Sequence, residues 1–528
     1  MKKRKKVIVV GGGIAGLTAS AYLARKGHNV KLFEKHEKCG GLVNTFDYQG
    51  FKMEGGVRAL VNAGVVTPML ENLGVEIETL KNPVSIGIEK DIIHVQGEED
   101  LQDYERLLKS KYPESKDDID RFIGIVKEII KHMKILYGVK NPLFIDMKRE
   151  GIATMGKYLP WLFKFLRTVQ KINEMKEPIE SYSFRILRNS SLRDIVIQHF
   201  FRGTPSFFAL SYFYLYTDYF YPEGGVGVLS EKLAQKCTEL GGEIFTGNPI
   251  RKVIPGRNMV IDDKGDAHEY DALIWATDLK AFYNSIDATG LDGGIVKKLE
   301  AEKRKIMVAR GAESVLTVYL GVDEPVETFG KIAHGHFFHT PSKQGLGEIH
   351  RSKLKQIIEQ DEQTGKAEIR SWLEDFFRFN TYEISIPALR YKPMAPEGKT
   401  GLIVSVLMDY DLIKKIDDDG WYEEFKQYAE NLVVENLTES VYPFLKDRLI
   451  FRFTSTPLTI ERMYGSSDGS IIGWSFERSL PVPSSMFSMK ASVKTPVQNI
   501  YRAGKWVYAP AGVPTAIITG KLAADMVK

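Results

Sequence analysis

Three glycines and one carboxylate carry the clearest chemical signal in this chain of 528 residues. Gly11, Gly13 and Gly16 stand at G-x-G-x-x-G spacing directly after the apolar run Lys6 to Val10, which reads as a buried parallel strand. Such a turn uses its first glycine for tightness, its second so that backbone can approach a pyrophosphate, and its third so that helix and strand can pack closely. Ile14 and Ala15 complete the turn, and Leu17 to Lys26 continues with alanine and leucine at helical spacing. Phosphates at the start of that helix meet unpaired N–H groups and the positive end of its dipole. A second strand, Val30 to Phe33, ends at Glu34, 21 residues beyond Gly13. A carboxylate there accepts hydrogen bonds from an adenosine ribose and disfavours a 2′-phosphate. The spacing alone is weak evidence, but strand, turn, helix, second strand and acid together describe a dinucleotide site.

The next segment separates two cofactors. Gly40 and Gly41 follow Glu34 closely, a hairpin is expected through Gly50, and Gly55 and Gly56 come after it. Paired glycines offer close backbone passages for a larger cofactor, FAD, for which a simple nicotinamide domain has no need. The plainer alternative is that they are hairpin turns.

No Ser-His-Asp arrangement, paired carboxylates or metal-ligand spacing stands out, and the ten histidines are scattered. In "HGHFFH", alternation along a strand puts His334 and His336 on one face; without further ligands, these and His339 read as surface or structural, and no metal is assigned. Catalysis therefore falls to the flavin, with Arg58 and Lys505 as the polar residues placed to orient a substrate or tune the cofactor. A cation near the N1 side of a flavin stabilises its anionic reduced form. The alternative for both is a solvent-facing position.

Elsewhere the chain is that of a folded protein, with 27% charged and 43% hydrophobic residues and a formal charge of only +4. Basic and acidic residues are interleaved beyond the first six, which excludes a nucleic-acid footprint. Cys39 and Cys237 form no disulfide framework or metal cluster, in keeping with a reducing compartment. The start "MKKRKK" runs straight into the glycine motif without a cleavage site, and no stretch reaches 18 strongly apolar residues. A cytoplasmic location follows, open to peripheral contact with the inner face of the membrane.

At this length several domains are expected. The fold class is α/β: a Rossmann-like FAD-binding domain assembled from three chain segments, 1–75, 221–285 and 491–528, with an inserted α+β substrate domain. Residues 76–220 read as a helical region facing substrate or membrane. Its helix "DIDRFIGIVKEIIKHMKILY" has Phe122, Val126, Ile129 and Met133 mainly on one face, a core pattern. Residues 221–285 return to the cofactor domain with a turn at Gly224 and Gly225, a helix from about Leu229 to Leu240, the strand "EIFT" and, after a hairpin, "ALIWAT". Residues 286–490 form the mixed substrate domain around "SVLTVYLG" and "GLIVSVLMDY", and the last segment adds a short strand and an alanine-rich helix whose start lies beside the cofactor.

With these residues in hand, the chain resembles the phytoene desaturase and carotenoid isomerase family, which includes the retinol saturases. The resemblance spans nearly the full length and rests on Val7 to Gly56, "YPEGGVGVL" at 221–229, "APEG" at 395–398, "TPLTIERMYGSSDG" at 456–469 and "APAGVPTAIITGKLAA" at 509–524. It implies an FAD site made by Gly11, Gly13, Ile14, Ala15, Gly16, Glu34, Lys35, Gly40, Gly41, Leu42, Gly55, Gly56, Val57 and Arg58, joined by Ile250, Ala276 and Thr277. Gly504, Gly512, Val513 and Pro514 would lie near the isoalloxazine. Three positions depart from the family: Leu42 where Arg is common, Glu54 for the usual Asp, and Lys505 where a small or acidic residue is frequent.

The implied reaction is a redox change or reduced-flavin isomerisation at C–C bonds of a long polyene or isoprenoid. Alternatives are a flavin-dependent amine or small-molecule oxidase, and a catalytically silent flavin-binding protein at a membrane. The implied partners are a lipid-soluble substrate and a separate electron donor or acceptor. Residues 200–221 hold 11 aromatic side chains against two charges, Arg202 and Asp218, and read either as the lining of an apolar tunnel or as helix core. "GKYLPWLFKFLRTVQK" places Leu159, Leu162, Phe163, Leu166 and Val169 on one stripe among Lys157, Lys164, Arg167 and Lys171, with Trp161 and Phe165 beside it. That suits a helix lying on an anionic membrane or one docked on its own protein.

Overall fold

The computed structural model describes residues 4–138, 142–144, 152–359 and 362–528. The chain opens with β1 (Lys6–Val10), α1 (Ile14–Arg25) and β2 (Asn29–Phe33), followed by the hairpin β3 (Thr45–Tyr48) and β4 (Phe51–Glu54). Then come β5 (Val84–Ile88) and β6 (Asp91–Val95), and a helical stretch comprising α2 (Lys116–Tyr137), α3 (Ile152–Glu174), α4 (Ser190–Ile197), α5 (Ser206–Leu210) and α6 (Tyr212–Asp218). After it lie α7 (Gly227–Glu239), β7 (Glu243–Phe245), β8 (Ile250–Ile254) and β9 (Ala272–Trp275). The remaining elements used below are β10 (Ser314–Val322), β11 (His336–Thr340), β12 (Tyr382–Ser385), β13 (Thr400–Met408), α8 (Tyr422–Ser440), β14 (Leu449–Ser455), β15 (Ile500–Arg502) and α9 (Val513–Met526).

Five strands form a parallel sheet in the order β7-β2-β1-β9-β15. Strands distant in sequence thus share one sheet, and β1 sits between β2 and β9, which opens the crevice at its carboxyl end that such sheets use for ligands. β1 is buried over Val7 to Val10, as a parallel strand covered on both faces must be. α1 is buried from Ile14 to Ala24 and is packed by α7 and α9. Alanine at positions 15, 19, 21 and 24 lets those helices come close.

The second sheet has seven strands in the order β14-β10-β13-β12-β11-β5-β6. All pairs are antiparallel except β11 with β5. One face carries Leu316, Val318, Ile384, Val404 and Val406 into a core with α8 and its neighbours. The helical stretch packs against the β5–β6 end through a second core that joins Val84, Ile88 and Val95 to Ile119, Ile123, Ile195 and Phe213.

The helical reading of 76–220 therefore needs a correction: "VSIGI" and "DIIHV" are β5 and β6 and join the second sheet through β11. Each is a five-residue run, short enough to be overshadowed by the long amphipathic helices around it.

Candidate active site

The glycine turn is built by contact rather than by side chains. Gly11 has φ +103, and a Cβ there would collide with Thr277 Cγ2 and crowd the carbonyl of Ala276. A Cβ on Gly16 would overlap the carbonyl oxygen of Gly11, so only glycine lets α1 start this close to β1. At Gly13, by contrast, a Cβ meets nothing within 4 Å. Gly40 donates its N–H to the Gly12 carbonyl at 2.8 Å, and a Cβ on Gly41 would lie 3.4 Å from Gly13 Cα. α1 has no side-chain cap and no acid in its first turn, so its N–H groups suit an anion. Open space over Gly13, glycine on both sides and an uncapped helix fit the pyrophosphate of FAD.

Glu34 is 8% exposed. Its Oε2 accepts from Gly12 N at 2.6 Å and its Oε1 from His36 N at 3.0 Å, which fixes the acid at the end of β2. Lys35 follows it on the surface. Ile250 is buried in β8 against a core shared with Ile8, Val10 and Phe33, and Asn248 N binds the Glu34 carbonyl at 2.9 Å. Gly504 donates its N–H to Thr519 Oγ1 of α9 at 3.0 Å, and a Cβ on it would lie 3.6 Å from Ala15 Cβ. Gly512, Val513 and Pro514 open α9, again without a side-chain cap or an acid in the first turn.

The glycines of 55–58 lead elsewhere. Gly56 leaves no room for a Cβ beside Leu42, whose carbonyl accepts from Val57 N at 3.0 Å. Arg58 then turns into the second sheet and is 5% exposed. It donates to the Glu54 carbonyl at 2.6 Å, Thr317 Oγ1 at 3.2 Å and Ser405 Oγ at 3.1 Å. The register explains the meeting: Thr317 pairs with Ser405, Ser405 with Glu383, and Glu383 with Phe338, forming one row across β10, β13, β12 and β11. The neighbouring row carries Ser385 opposite His336. The sheet is apolar toward α8; its other face sets this polar row beside an apolar cluster of Tyr319 and Ile403 with Phe51 and Met53, and along the row it grades from Thr317 to Phe338.

Around that row lie further buried ionisable groups. Arg390 donates to the Arg58 carbonyl at 2.6 Å and to Asn82 Oδ1 at 3.1 Å, contacts Ser385 Oγ, and stands 4.2 Å over the Tyr221 ring. Glu54 is fully buried, and burial pushes its carboxyl above the usual range although Arg390 and Arg58 oppose this. Lys505 points to a different neighbourhood: its Nζ bonds Ser466 Oγ at 2.8 Å and the Ser470 carbonyl at 2.5 Å. Burial pushes it down to about 7, opposed by the charge of Asp278. Neither Arg58 nor Lys505 is solvent-facing.

Beyond Phe338 the row ends at an apolar cavity of about 60 Å³. Phe200, Tyr212, Phe213 and Tyr216 line it with Ile86, Phe122 and His199. His199 is pushed down to about 4 by burial and is neutral there. The aromatic stretch is therefore largely packed core, with a cavity well below the roughly 300 Å³ of a typical ligand site. His336 and His339 lie in β11, on opposite faces: His336 bonds Glu383 at 2.9 Å, and His339 bonds Ser440 of α8 at 2.9 Å. His334 precedes the strand, its ring tilted against that of His94 at 4.6 Å between centroids.

These features have counterparts in known proteins. The model of the flavin-containing amine oxidoreductases matches residues 14–528. The chain belongs to that family. It is an FAD-dependent oxidoreductase. Over 94% of this chain and 82% of the other, it is 21% identical to all-trans-retinol 13,14-reductase of Danio rerio. It is 23% identical to a 4,4'-diapophytoene desaturase of Staphylococcus aureus across 99% of both chains. Putrescine oxidase bound to putrescine superposes with a TM-score of 0.57 at 14% identity, covering 99% of this chain and 98% of that one. An oxidoreductase from Methanosarcina mazei gives 0.59 at 14% identity, with 98% of both covered. These structures share the fold.

Glu383, Thr317, Ser405, Asn82 and Arg390 escaped the sequence reading, and His336 reads there only as surface or structural. A faint signal existed: Glu383 in "TYEISIP", Ser405 in "LIVSVL" and Thr317 in "SVLTVYL" each place a polar side chain between apolar residues of a strand.

Proposed function

We propose that this oxidoreductase acts on C–C bonds of a long apolar polyene or isoprenoid. The observation that carries the reading is the graded sheet face: a buried polar row beside the 55–58 segment passes directly into aromatic walls. A hydrocarbon lies well against Phe338, Tyr216 and Tyr219, whereas the guanidiniums of Arg58 and Arg390 disfavour a cationic amine. The full-length similarity to a retinol reductase and a diapophytoene desaturase supports the same substrate class. When bound, FAD supplies hydride acceptance or donation. Gly11, Gly13, Gly16, Gly40, Gly41 and the start of α1 would hold its pyrophosphate, Glu34 its ribose, and Leu42, Gly55, Gly56 and Val57 its passage toward the second sheet. Arg58 would place a fixed positive charge beside the ring system, and Lys505 would brace the 466–470 loop.

Membrane contact is part of this proposal. α3 packs on α2 through Trp161, whose Nε1 donates to the Ile135 carbonyl at 2.8 Å, and through Thr168, which bonds His132 at 2.9 Å. Its outer face leaves Leu162, Phe163 and Leu166 exposed, Phe163 at 67%, beside Lys164 and Arg167. Lys157 and Leu159 fall where only the backbone is described. An apolar stripe flanked by cations suits an anionic lipid surface. No helix among the described residues is long and apolar enough to cross a membrane.

The test is the mass and absorption spectrum of products after anaerobic incubation of FAD-loaded protein with carotenoid precursors and retinoids, using oxidised and then reduced flavin. A loss of two mass units means desaturation, a gain of two saturation, and a new isomer at constant mass isomerisation. Peroxide from putrescine or cyclohexylamine in air, with every polyene unchanged, sinks the proposal in favour of amine oxidation.

A further inference from the structure

Glu383 is an unusual residue for the central strand of a seven-stranded sheet. Its side chain keeps 34% of its surface accessible while His336 beside it keeps 2%, so the carboxylate borders open space inside the protein instead of packed core. A chain of hydrogen bonds holds it. Arg390 donates to Asn82 Oδ1 at 3.1 Å, which orients the amide, and Asn82 Nδ2 then donates to His336 Nδ1 at 3.2 Å. That sets the tautomer: His336 Nε2 carries the proton and donates it to Glu383 Oε1 at 2.9 Å. On the other side His336 is clamped by the Tyr219 ring, stacked at 5.3 Å and 4°. Glu383 stands where the polar row meets Phe338, at the border between the Arg58 end and the aromatic end.

We propose that Glu383 is the proton-exchanging residue of the C–C redox step, with His336 and Asn82 as the residues that position it. The inference rests on the polyene reading above. Making a double bond from two adjacent C–H bonds removes one hydrogen with its electron pair, as hydride to the bound oxidised flavin, and the other as a proton. The electron pair of the second C–H bond becomes the π bond, and its proton passes to the Glu383 carboxylate. In the opposite direction reduced flavin gives the hydride and the Glu383 carboxyl returns the proton, so atoms and electrons balance both ways. The resting state suits the first direction. Burial pushes the Glu383 carboxyl up, but the hydrogen bond from His336 and the charges of Arg58 and Arg390 outweigh it and hold Glu383 below the usual range, ionised at neutral pH.

A hydrocarbon that reaches Glu383 must strip water from an ionised carboxylate, so it binds better where Glu383 is protonated. The charged and titratable groups facing Glu383 are His336, Arg58 and Arg390 around the sheet, with His199, Tyr212, Tyr216 and Tyr219 from the helical layer. Burial pushes His199 down to about 4, so it is neutral except at the acid end of the working range, and keeps the tyrosines protonated throughout.

The experiment follows all-trans-retinol binding to the FAD-loaded, oxidised protein by fluorescence from pH 4 to 8. Wild type should tighten as pH falls, by roughly tenfold per unit within the window where ligand burial protonates Glu383. Glu383→Gln should bind tightly at every pH and lose the slope, while keeping its flavin spectrum and melting temperature. His336→Gln removes the partner that favours the carboxylate and should move the window to higher pH; it also serves if Glu383→Gln does not fold. With reduced flavin in heavy water, wild type should form saturated product carrying solvent deuterium at the protonated carbon, and Glu383→Gln should form little or no saturated product. A Glu383→Gln protein with the wild-type pH slope overturns the assignment. A wild type that neither binds nor converts retinol or lycopene at any pH overturns the polyene reading beneath it.

Discussion

Around the parallel sheet the walls proposed for FAD are backbone: a Cβ on Gly16 would meet the Gly11 carbonyl, and one on Gly41 would meet Gly13 Cα. On the seven-stranded sheet the walls are single polar side chains, Thr317, Ser405, Glu383 and His336, each set among apolar neighbours on its own strand. The first site depends on what is missing from the residues: a Cβ at Gly16 has no room, and one at Gly13 would fill the space proposed for the ligand. The second depends on register, because a one-residue slip of β12 would turn Glu383 into the apolar core and Ile384 into the cleft. A cofactor common to many reactions can be held by backbone; a particular substrate needs side chains.

The sharpest break of this contrast is within one turn. Gly16→Val forces a branched side chain into the Gly11 carbonyl, and overpacking of this kind costs about 1–3 kcal/mol before the lost ligand is counted. The purified protein should carry no flavin colour and melt well below wild type. Gly13→Ala adds a methyl where nothing lies within 4 Å. Its apoprotein should melt like wild type while FAD affinity, read by fluorescence titration, drops roughly a hundredfold, about 2.8 kcal/mol. Equal losses of stability in the two variants would show that the turn is structural throughout.

A second test moves to the side-chain site. Arg58→Met removes the guanidinium that bonds Thr317 and Ser405. If that charge stabilises reduced flavin, the two-electron midpoint potential should fall by about 30 mV, equivalent to about 1.4 kcal/mol. An unchanged potential with a lowered melting temperature would make Arg58 a strut between the sheets and nothing more.

The same contrast explains what could be read from the sequence. Glycine spacing, the strand at Lys6–Val10 and Glu34 lie within 30 residues of one another, so local chemistry reports the cofactor turn directly. The second site unites Arg58, Thr317, Glu383 and Ser405, residues separated by up to 347 positions. A lone serine in "LIVSVL" looks no different from a tolerated polar residue until the register places it beside Glu383. β5 and β6 were hidden for a related reason: they are completed by β11, some 250 residues away, and no local signal names that partner.

A smaller effect is expected at Lys505. Its ordinary value of about 10.4 falls to about 7 in the fold, so the unfolded chain binds more protons than the native one between those limits. Stability contributed here therefore rises with pH through that window, and below it the buried charge costs its full penalty. Lys505→Met should raise the melting temperature at pH 6, by more than about 1 kcal/mol in stability, and the gain should shrink toward pH 10. A gain independent of pH would mean that packing alone is responsible.

The smallest effect concerns a surface that neither sheet uses. Leu162 and Phe163 are exposed at 44% and 67%, so changing both to serine removes no core contact and should leave melting and flavin content unchanged. On vesicles containing anionic lipid the two side chains would contribute roughly 1 kcal/mol or more between them, and flotation should fall about tenfold. Lys164 and Arg167 stand beside them, so raising the salt should weaken wild-type binding as well. If the double variant floats as wild type does, a lipid-soluble substrate reaches the graded sheet face by another route, and α3 is only the outer cover of α2.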